Sequence, residues 1–189
     1  MNIGVLAVQG AFAEHINIVE KLNCNGFEIR KKTDLNKHFD GLILPGGEST
    51  VMGKLLLDLD MMNTLRDYIN CGMPVFGTCA GMILLAKKIE NSEHSHLGTM
   101  DITVMRNAYG RQLGSFNTFS EYKNDIRIKM PFIRAPYIKS VGSSATILSV
   151  VDDKIVAARQ DNQLAVAFHP ELTDETVVHE HFLEIIANN

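Results

Sequence analysis

The sequence predicts an α/β domain built on a mainly parallel sheet with helices on both faces. Three observations point there. Short β-rich apolar runs alternate with helically spaced apolar residues over the first 90 positions, glycine-rich turns follow two of those runs, and closely spaced strand patterns fill the second half. A strand–helix–strand rhythm implies parallel pairing, because the helix carries the chain back across the sheet before the next strand begins.

Ile3 to Val8 is a near-continuous apolar run, as a strand covered on both faces requires. Phe12, Ile16, Val19 and Leu22 then share one helical stripe that ends near the turn signal Asn25-Gly26. Phe27 to Arg30 reads as a second strand, Gly41 to Leu44 as a third stopped by Pro45-Gly46-Gly47, and Pro74 to Phe76 as a fourth. From about Met100 the strand candidates are Ile102 to Met105, Ile126 to Lys129, Ile138 to Val141, Ile147 to Val151, Ile155 to Ala158 and Leu164 to Phe168. Their close spacing predicts hairpins and mixed strand directions there. Val177, Val178, Phe182, Ile185 and Ile186 keep the period of a closing helix.

Composition narrows the function classes. The 189 residues fit one domain spanning 1–189. Eighteen Lys plus Arg stand against 22 Asp plus Glu with no long run of one sign, which argues against a nucleic-acid partner. The start lacks a basic region followed by a signal-type apolar run, and no stretch reaches the ~18 apolar residues of a membrane span. A cytoplasmic protein with no membrane partner is the expectation. Three cysteines without Cys-x-x-Cys spacing argue against a disulfide framework and a structural zinc site. The His94/His96 and His179/His181 pairs lack a third convergent ligand; the first falls in a polar segment that reads as a solvated loop, and the second points to different helix faces. No metal or cofactor is expected.

Chemistry concentrates in three segments. Cys79 lies in Gly77-Thr78-Cys79-Ala80-Gly81, after the apolar Val75-Phe76 and before the helix-like Met82-Ile83-Leu84-Leu85-Ala86. This is the setting of a nucleophile elbow, in which small neighbours allow a sharp turn that holds the side chain out at a strand end. The start of a helix also favours the thiolate form. Cys24 and Cys71 lack such a setting and read as small buried hydrophobes. His169-Pro170-Glu171 follows the run Ala165 to Phe168, so a candidate base also sits at a strand end, with Glu171 able to accept one imidazole N–H across a Pro-stiffened turn. The ninety residues between Cys79 and His169 are no obstacle, since such partners meet in space. Pro45-Gly46-Gly47-Glu48-Ser49-Thr50 follows the third strand; its backbone N–H groups, with that of Ala80, could form an oxyanion hole, while the same turn could simply cap a helix. It lacks the Gly-Lys-Ser/Thr ending of a phosphate loop.

These three elements, in this order, resemble the class I, triad-type glutamine amidotransferases. Gln9-Gly10-Ala11 with Glu14-His15, Arg106-Asn107-Ala108-Tyr109-Gly110-Arg111-Gln112 and Phe132-Ile133-Arg134-Ala135-Pro136 narrow the likeness to the glutaminase subunits of pyridoxal 5′-phosphate synthases, over essentially the whole chain. The resemblance implies a flavodoxin-like three-layer domain with a central mixed, mainly parallel sheet. It implies hydrolysis of L-glutamine by Cys79, His169 and Glu171, with an oxyanion hole at Gly46, Gly47 and Ala80. It further implies glutamine contacts at Gly47, Glu48, Ser49, Arg106, Ile133 and Arg134. A carboxylate for the α-ammonium and a guanidinium for the α-carboxylate are chemically apt. The implied partner is a synthase subunit that takes up the ammonia and raises the activity of the isolated chain, with Gln9-Gly10-Ala11, Glu14 and His15 near the contact surface. Three alternatives stay open: the glutaminase subunit of imidazole glycerol phosphate synthase, which shares the triad but not the Gln-Gly-Ala start, a non-catalytic binding module with an inert elbow, and, by fold, a DJ-1/PfpI-like hydrolase or chaperone.

Overall fold

The computed structural model describes residues 1–106, 114–123 and 126–189. The first half runs β1 (Asn2–Leu6), α1 (Phe12–Lys21), β2 (Asn25–Ile29), β3 (Gly41–Leu44), α2 (Ser49–Asp58), α3 (Met62–Asn70), β4 (Val75–Thr78) and α4 (Ala80–Leu85). It continues through β5 (Ala86–Ile89), β6 (Met100–Met105), β7 (Ser115–Tyr122), β8 (Ile126–Ile133), β9 (Tyr137–Val141), β10 (Thr146–Val151), β11 (Lys154–Gln160), β12 (Gln163–Val166) and α5 (Val177–Ala187). The main sheet has the order β2-β1-β3-β4-β12-β11-β9-β6-β5, with β10 paired to β11, and β7–β8 form a separate hairpin. From β2 to β12 every pairing is parallel; β11 then turns the sheet antiparallel. The α/β fold with a mixed, mainly parallel sheet is therefore as the sequence predicts.

The layers follow from strand alternation. On β4, Phe76 meets the rings of His15, His179 and Phe182, so α1 and α5 cover that face. Its neighbour Gly77 faces the other way, where a Cβ would lie 2.7 Å from the Gly81 carbonyl carbon and 2.9 Å from Leu85 of α4. Val75, Phe76, Leu42, Ile43, Leu44, Leu164, Ala165 and Val166 are all fully buried, which explains why these strands read as unbroken apolar runs. The 2-1-3-4 order puts a topological switch beside β1 and β3, and ligands in such sheets collect beyond the carboxyl ends of the strands.

Several local expectations need correction. Asn25-Gly26 is not the turn after α1 but the start of β2; Asn23, at φ 58°, makes that turn. The helix after Cys79 stops one residue early, because Ala86 already begins β5, an edge strand whose Lys87 and Lys88 face solvent. Strand β7 escaped the sequence reading, as two of its four inward positions, Thr118 and Ser120 between Phe116 and Tyr122, are polar, while Phe119 faces outward. Cys71 is exposed and Cys24 half-buried, so neither is the buried hydrophobe expected of it. Among the described residues, no helix is long and apolar enough to cross a membrane.

Candidate functional site

Four strand ends converge on one cavity of about 690 Å³. Gln9 follows β1, Gly46 to Thr50 follow β3, Cys79 follows β4, and His169 stands three residues beyond β12; all line it, with Arg106, Ile133 and Arg134 from the other half of the chain.

The turn at Cys79 is strained. Its backbone lies at φ 48°, ψ −99°, a region unfavourable for a side chain with a Cβ, and such outliers persist only where the surroundings over-determine them. Here the Cys79 N–H extends the β4–β12 ladder by donating to the Val166 carbonyl at 2.8 Å, while its own carbonyl accepts from Ile83 at 3.2 Å. The chain thus remains strand on one side and becomes helix on the other. Gly81 makes that possible: a Cβ there would sit 1.9 Å from the Leu44 carbonyl oxygen. Cys79 itself is 7 % exposed.

His169 is held from three directions. Its backbone N–H donates to the Pro131 carbonyl at 2.8 Å, which ties it to β8. Its Nδ1 lies 2.7 Å from Glu171 Oε1, and since an ionised carboxylate only accepts, Nδ1–H is the donor. The 3₁₀ turn Pro170–Leu172 brings the two side chains together, and the Glu171 carboxylate is fully buried. Burial works to lower the His169 pKa, but hydrogen bonds to Cys79 and Glu171 and the negative charge of both raise it to about 10. His169 is therefore an imidazolium at neutral pH, with Nε2 left for the sulfur. Gly46 closes over the ring, for a Cβ there would stand 2.3 Å from His169 Cε1.

The remaining predicted residues are distributed as follows. Gly47 and Glu48 are exposed at the cavity wall, and Ser49 is buried at the start of α2. Arg106 reaches across to donate to Thr50 Oγ1 at 3.3 Å. Ile133 ends β8, and Arg134 follows at φ 42° with its N–H donating to Gly114 at 2.6 Å. Ala80 is buried behind Cys79 as the first residue of α4. Residues 107–112 of the Arg106-to-Gln112 segment lie outside the described residues.

Three features run beyond or against the sequence reading. Gln9 is part of the cavity wall, and its Oε1 accepts the Glu48 N–H at 2.7 Å. His15, expected near a contact surface, is fully buried behind Glu171. Its place on the inner stripe of α1 with Ile18 and Val19 was the available signal. The His94/His96 segment is a loop with His94 exposed, but His96 is half-buried: its ring rests on Gly53 of α2, and Arg66 donates to its carbonyl at 2.8 Å. His179 and His181 are both buried with separate partners, His15 and Tyr122. Among the described residues, no group of three or more His, Cys, Asp or Glu side chains could hold a metal ion.

A strained cysteine against an imidazolium, itself fixed by a buried carboxylate, suits nucleophilic attack on an amide or ester carbonyl. Comparison with known proteins agrees in kind. The family model described as the SNO glutamine amidotransferase family matches residues 5–188. A pyridoxal 5′-phosphate synthase subunit PdxT from Methanocorpusculum labreanum is 59 % identical over 187 residues, covering 99 % of this chain and 98 % of that protein. A PdxT of Streptococcus pneumoniae is 54 % identical, covering 98 % and 97 %. A crystal structure titled as a glutamine amidotransferase superposes with a TM-score of 0.92 at 40 % identity, covering 98 % of each chain.

Proposed function

This chain belongs to the SNO glutamine amidotransferase family, and from that premise we propose that it is the glutaminase subunit of a pyridoxal 5′-phosphate synthase, acting through Cys79, His169 and Glu171. The observation that carries this reading is Cys79 and His169 at adjacent strand ends in one cavity, with buried Glu171 bonded to the far side of the His169 ring, in a chain 59 % identical to a named PdxT.

The Cys79 thiolate adds to the side-chain amide carbon of glutamine, and the resulting oxyanion faces the Gly46-Gly47 turn and the Ala80 N–H. Collapse breaks the C–N bond; His169 gives its Nε2 proton to the departing nitrogen, leaving a γ-glutamyl thioester and ammonia. Once the sulfur is acylated, the Cys79 charge and hydrogen bond that help hold the His169 pKa up are gone. Burial then favours the neutral ring that proton donation has left, until it takes a proton from the attacking water. Glutamate leaves and the thiolate–imidazolium pair returns. Glu171 keeps its charge throughout and holds Nδ1–H, so that Nε2 addresses both sulfur and substrate.

Glu48 binds the α-ammonium and Arg106 or Arg134 the α-carboxylate, while Gly47, Ser49 and Ile133 shape the wall. The partner is the synthase subunit that consumes the ammonia, and its docking selects the competent form of the Gly46-Gly47 turn. One domain over 1–189 in the cytoplasm, without a cofactor, completes the reading. The test is glutamate release from glutamine with and without the synthase subunit. Release that depends on Cys79 and rises on adding the subunit supports it; no release in either case removes the glutaminase assignment, and release unchanged by the subunit removes the coupling.

A further inference from the structure

A second polar cluster lies behind the Cys79–His169–Glu171 array, away from the cavity. His15 is fully buried in α1, with Nε2 3.2 Å from Thr78 Oγ1 and 3.6 Å from Glu171 Oε2. Its other nitrogen, Nδ1, lies 2.9 Å from Nε2 of His179 in α5. Two buried atoms at the ends of this chain have no hydrogen-bond partner among the described residues: Glu171 Oε2 and His179 Nδ1.

Those two orphans fix the tautomers. Glu171 Oε2 can only accept, so the nitrogen facing it must carry the proton, which makes His15 the Nε2–H form. His15 Nδ1 is then an acceptor, and His179 must donate to it from Nε2. His179 Nδ1 is left with a bare lone pair, which is why it tolerates having no partner. The opposite assignment leaves a buried N–H on His179 Nδ1 without an acceptor and sets two lone pairs against each other at Glu171, two costs that are absent from the first. Both rings are neutral: burial and the neighbouring imidazoles hold His15 well below its ordinary pKa, and burial brings His179 to about 3. A neutral His15 does not compete with His169 for the carboxylate charge.

We propose that His15, oriented by His179, is a positioning residue for Glu171, presenting Nε2–H to the carboxylate oxygen that His169 leaves free. The proton is shared with Thr78 Oγ1, and at 3.6 Å the Glu171 contact is a directed electrostatic one that a small rotation of the carboxylate closes to a hydrogen bond. The proposal rests on the reading of Glu171 as the orienting partner of His169. Sequence and fold supply the parts together: Thr78 immediately precedes Cys79 on β4, and α1 and α5 share the sheet face opposite α4, so the same strand that displays the nucleophile anchors the support behind its partner.

The test compares His15→Leu, which removes the donor, with His15→Gln, which returns an N–H near the place of Nε2. Both are assayed for glutamate release with the synthase subunit present. His15→Leu lowers kcat by on the order of tenfold, the worth of one positioning hydrogen bond, and leaves KM for glutamine unchanged. His15→Gln recovers most of the loss. In a Glu171→Gln background, His15→Leu costs little more, because both act through one carboxylate. Equal losses in the two backgrounds, a loss confined to KM, or a glutamine variant no better than leucine each overturn the proposal. Imidazole ¹⁵N NMR of the wild type decides the placement even if His15→Leu does not fold. A proton on His15 Nε2 and on His179 Nε2 is the required result, and a proton on His15 Nδ1 refutes it. Wild-type protein that releases no glutamate with the synthase subunit present sinks the glutaminase reading instead, and the NMR result still decides the tautomers.

Discussion

Replacing Glu171 by Gln keeps the shape of the side chain while removing a charge 2.7 Å from His169 Nδ1. The amide oxygen can still accept the Nδ1 proton, so the ring stays in place, but a charge-assisted hydrogen bond becomes a neutral one. Its amide nitrogen then faces His15 Nε2, setting donor against donor. Hydrogen bonds to charged groups contribute about 1.5–3 kcal/mol, so kcat falls by roughly ten- to hundredfold if that stabilisation is realised in the transition state. The pH profile carries a second signature. Glu171 is among the causes that raise the His169 pKa to about 10, so its neutralisation lowers that value, and the alkaline limb of kcat/KM moves to lower pH. The assay is steady-state glutamate release at saturating synthase subunit over pH 6 to 11, with KM fitted at each point. A Glu171→Gln enzyme with wild-type kcat and an unmoved alkaline limb would remove Glu171 from the catalytic unit.

Two other perturbations follow from the geometry. Gly46→Ala places a methyl group 2.3 Å from His169 Cε1, and since that ring is held by Glu171 and by its own backbone, the strand-end turn must yield. A stability loss of about 1–3 kcal/mol with a larger drop in kcat is expected, measured by urea unfolding and turnover together; an unchanged kcat contradicts the placement. Acid lability is the other. His15 and His179 are buried with folded pKa values held below 6.5, so the unfolded chain binds more protons than the folded one as pH drops below 6.5. Stability is therefore full above pH 6.5 and is lost on the way down. At pH 5 His179 alone costs about 2 kcal/mol, from ~1.36 kcal/mol per pH unit below 6.5, and His15 acts in the same direction. Urea midpoints at pH 7 and pH 5 check this, and a midpoint that does not fall on acidification rejects the neutral buried pair.

The sequence made the parallel half of the sheet legible because β1, β3, β4 and β12 are buried on both faces, and double burial demands unbroken apolar runs such as Gly41–Leu44. Cys79 and His169 stood out for a related reason: each follows such a run directly. Edge and hairpin strands were less visible. Lys87 and Lys88 of β5 are solvent-facing, and β7 carries polar Thr118 and Ser120 at inward positions, which blurs its alternation. The support behind Glu171 was hidden in a different way. His15 and His179 sit where an apolar residue would satisfy the helical period, and only the folded contact between α1 and α5 shows that they bond to each other. His96 does lie in a loop, but its ring is half-buried because Gly53, 43 positions earlier, leaves the space it fills.

On the proposed reading, Cys79 is the nucleophile that glutamine meets in the cavity. A thiol-directed glutamine analogue, incubated with the complete complex and followed by peptide mass spectrometry, addresses it without any substitution. One adduct is expected, on Cys79, forming in step with loss of glutamate release and slowed by added glutamine, while exposed Cys71 and half-buried Cys24 stay unmodified. Loss of activity with the adduct on Cys24 or Cys71 and Cys79 untouched would contradict it.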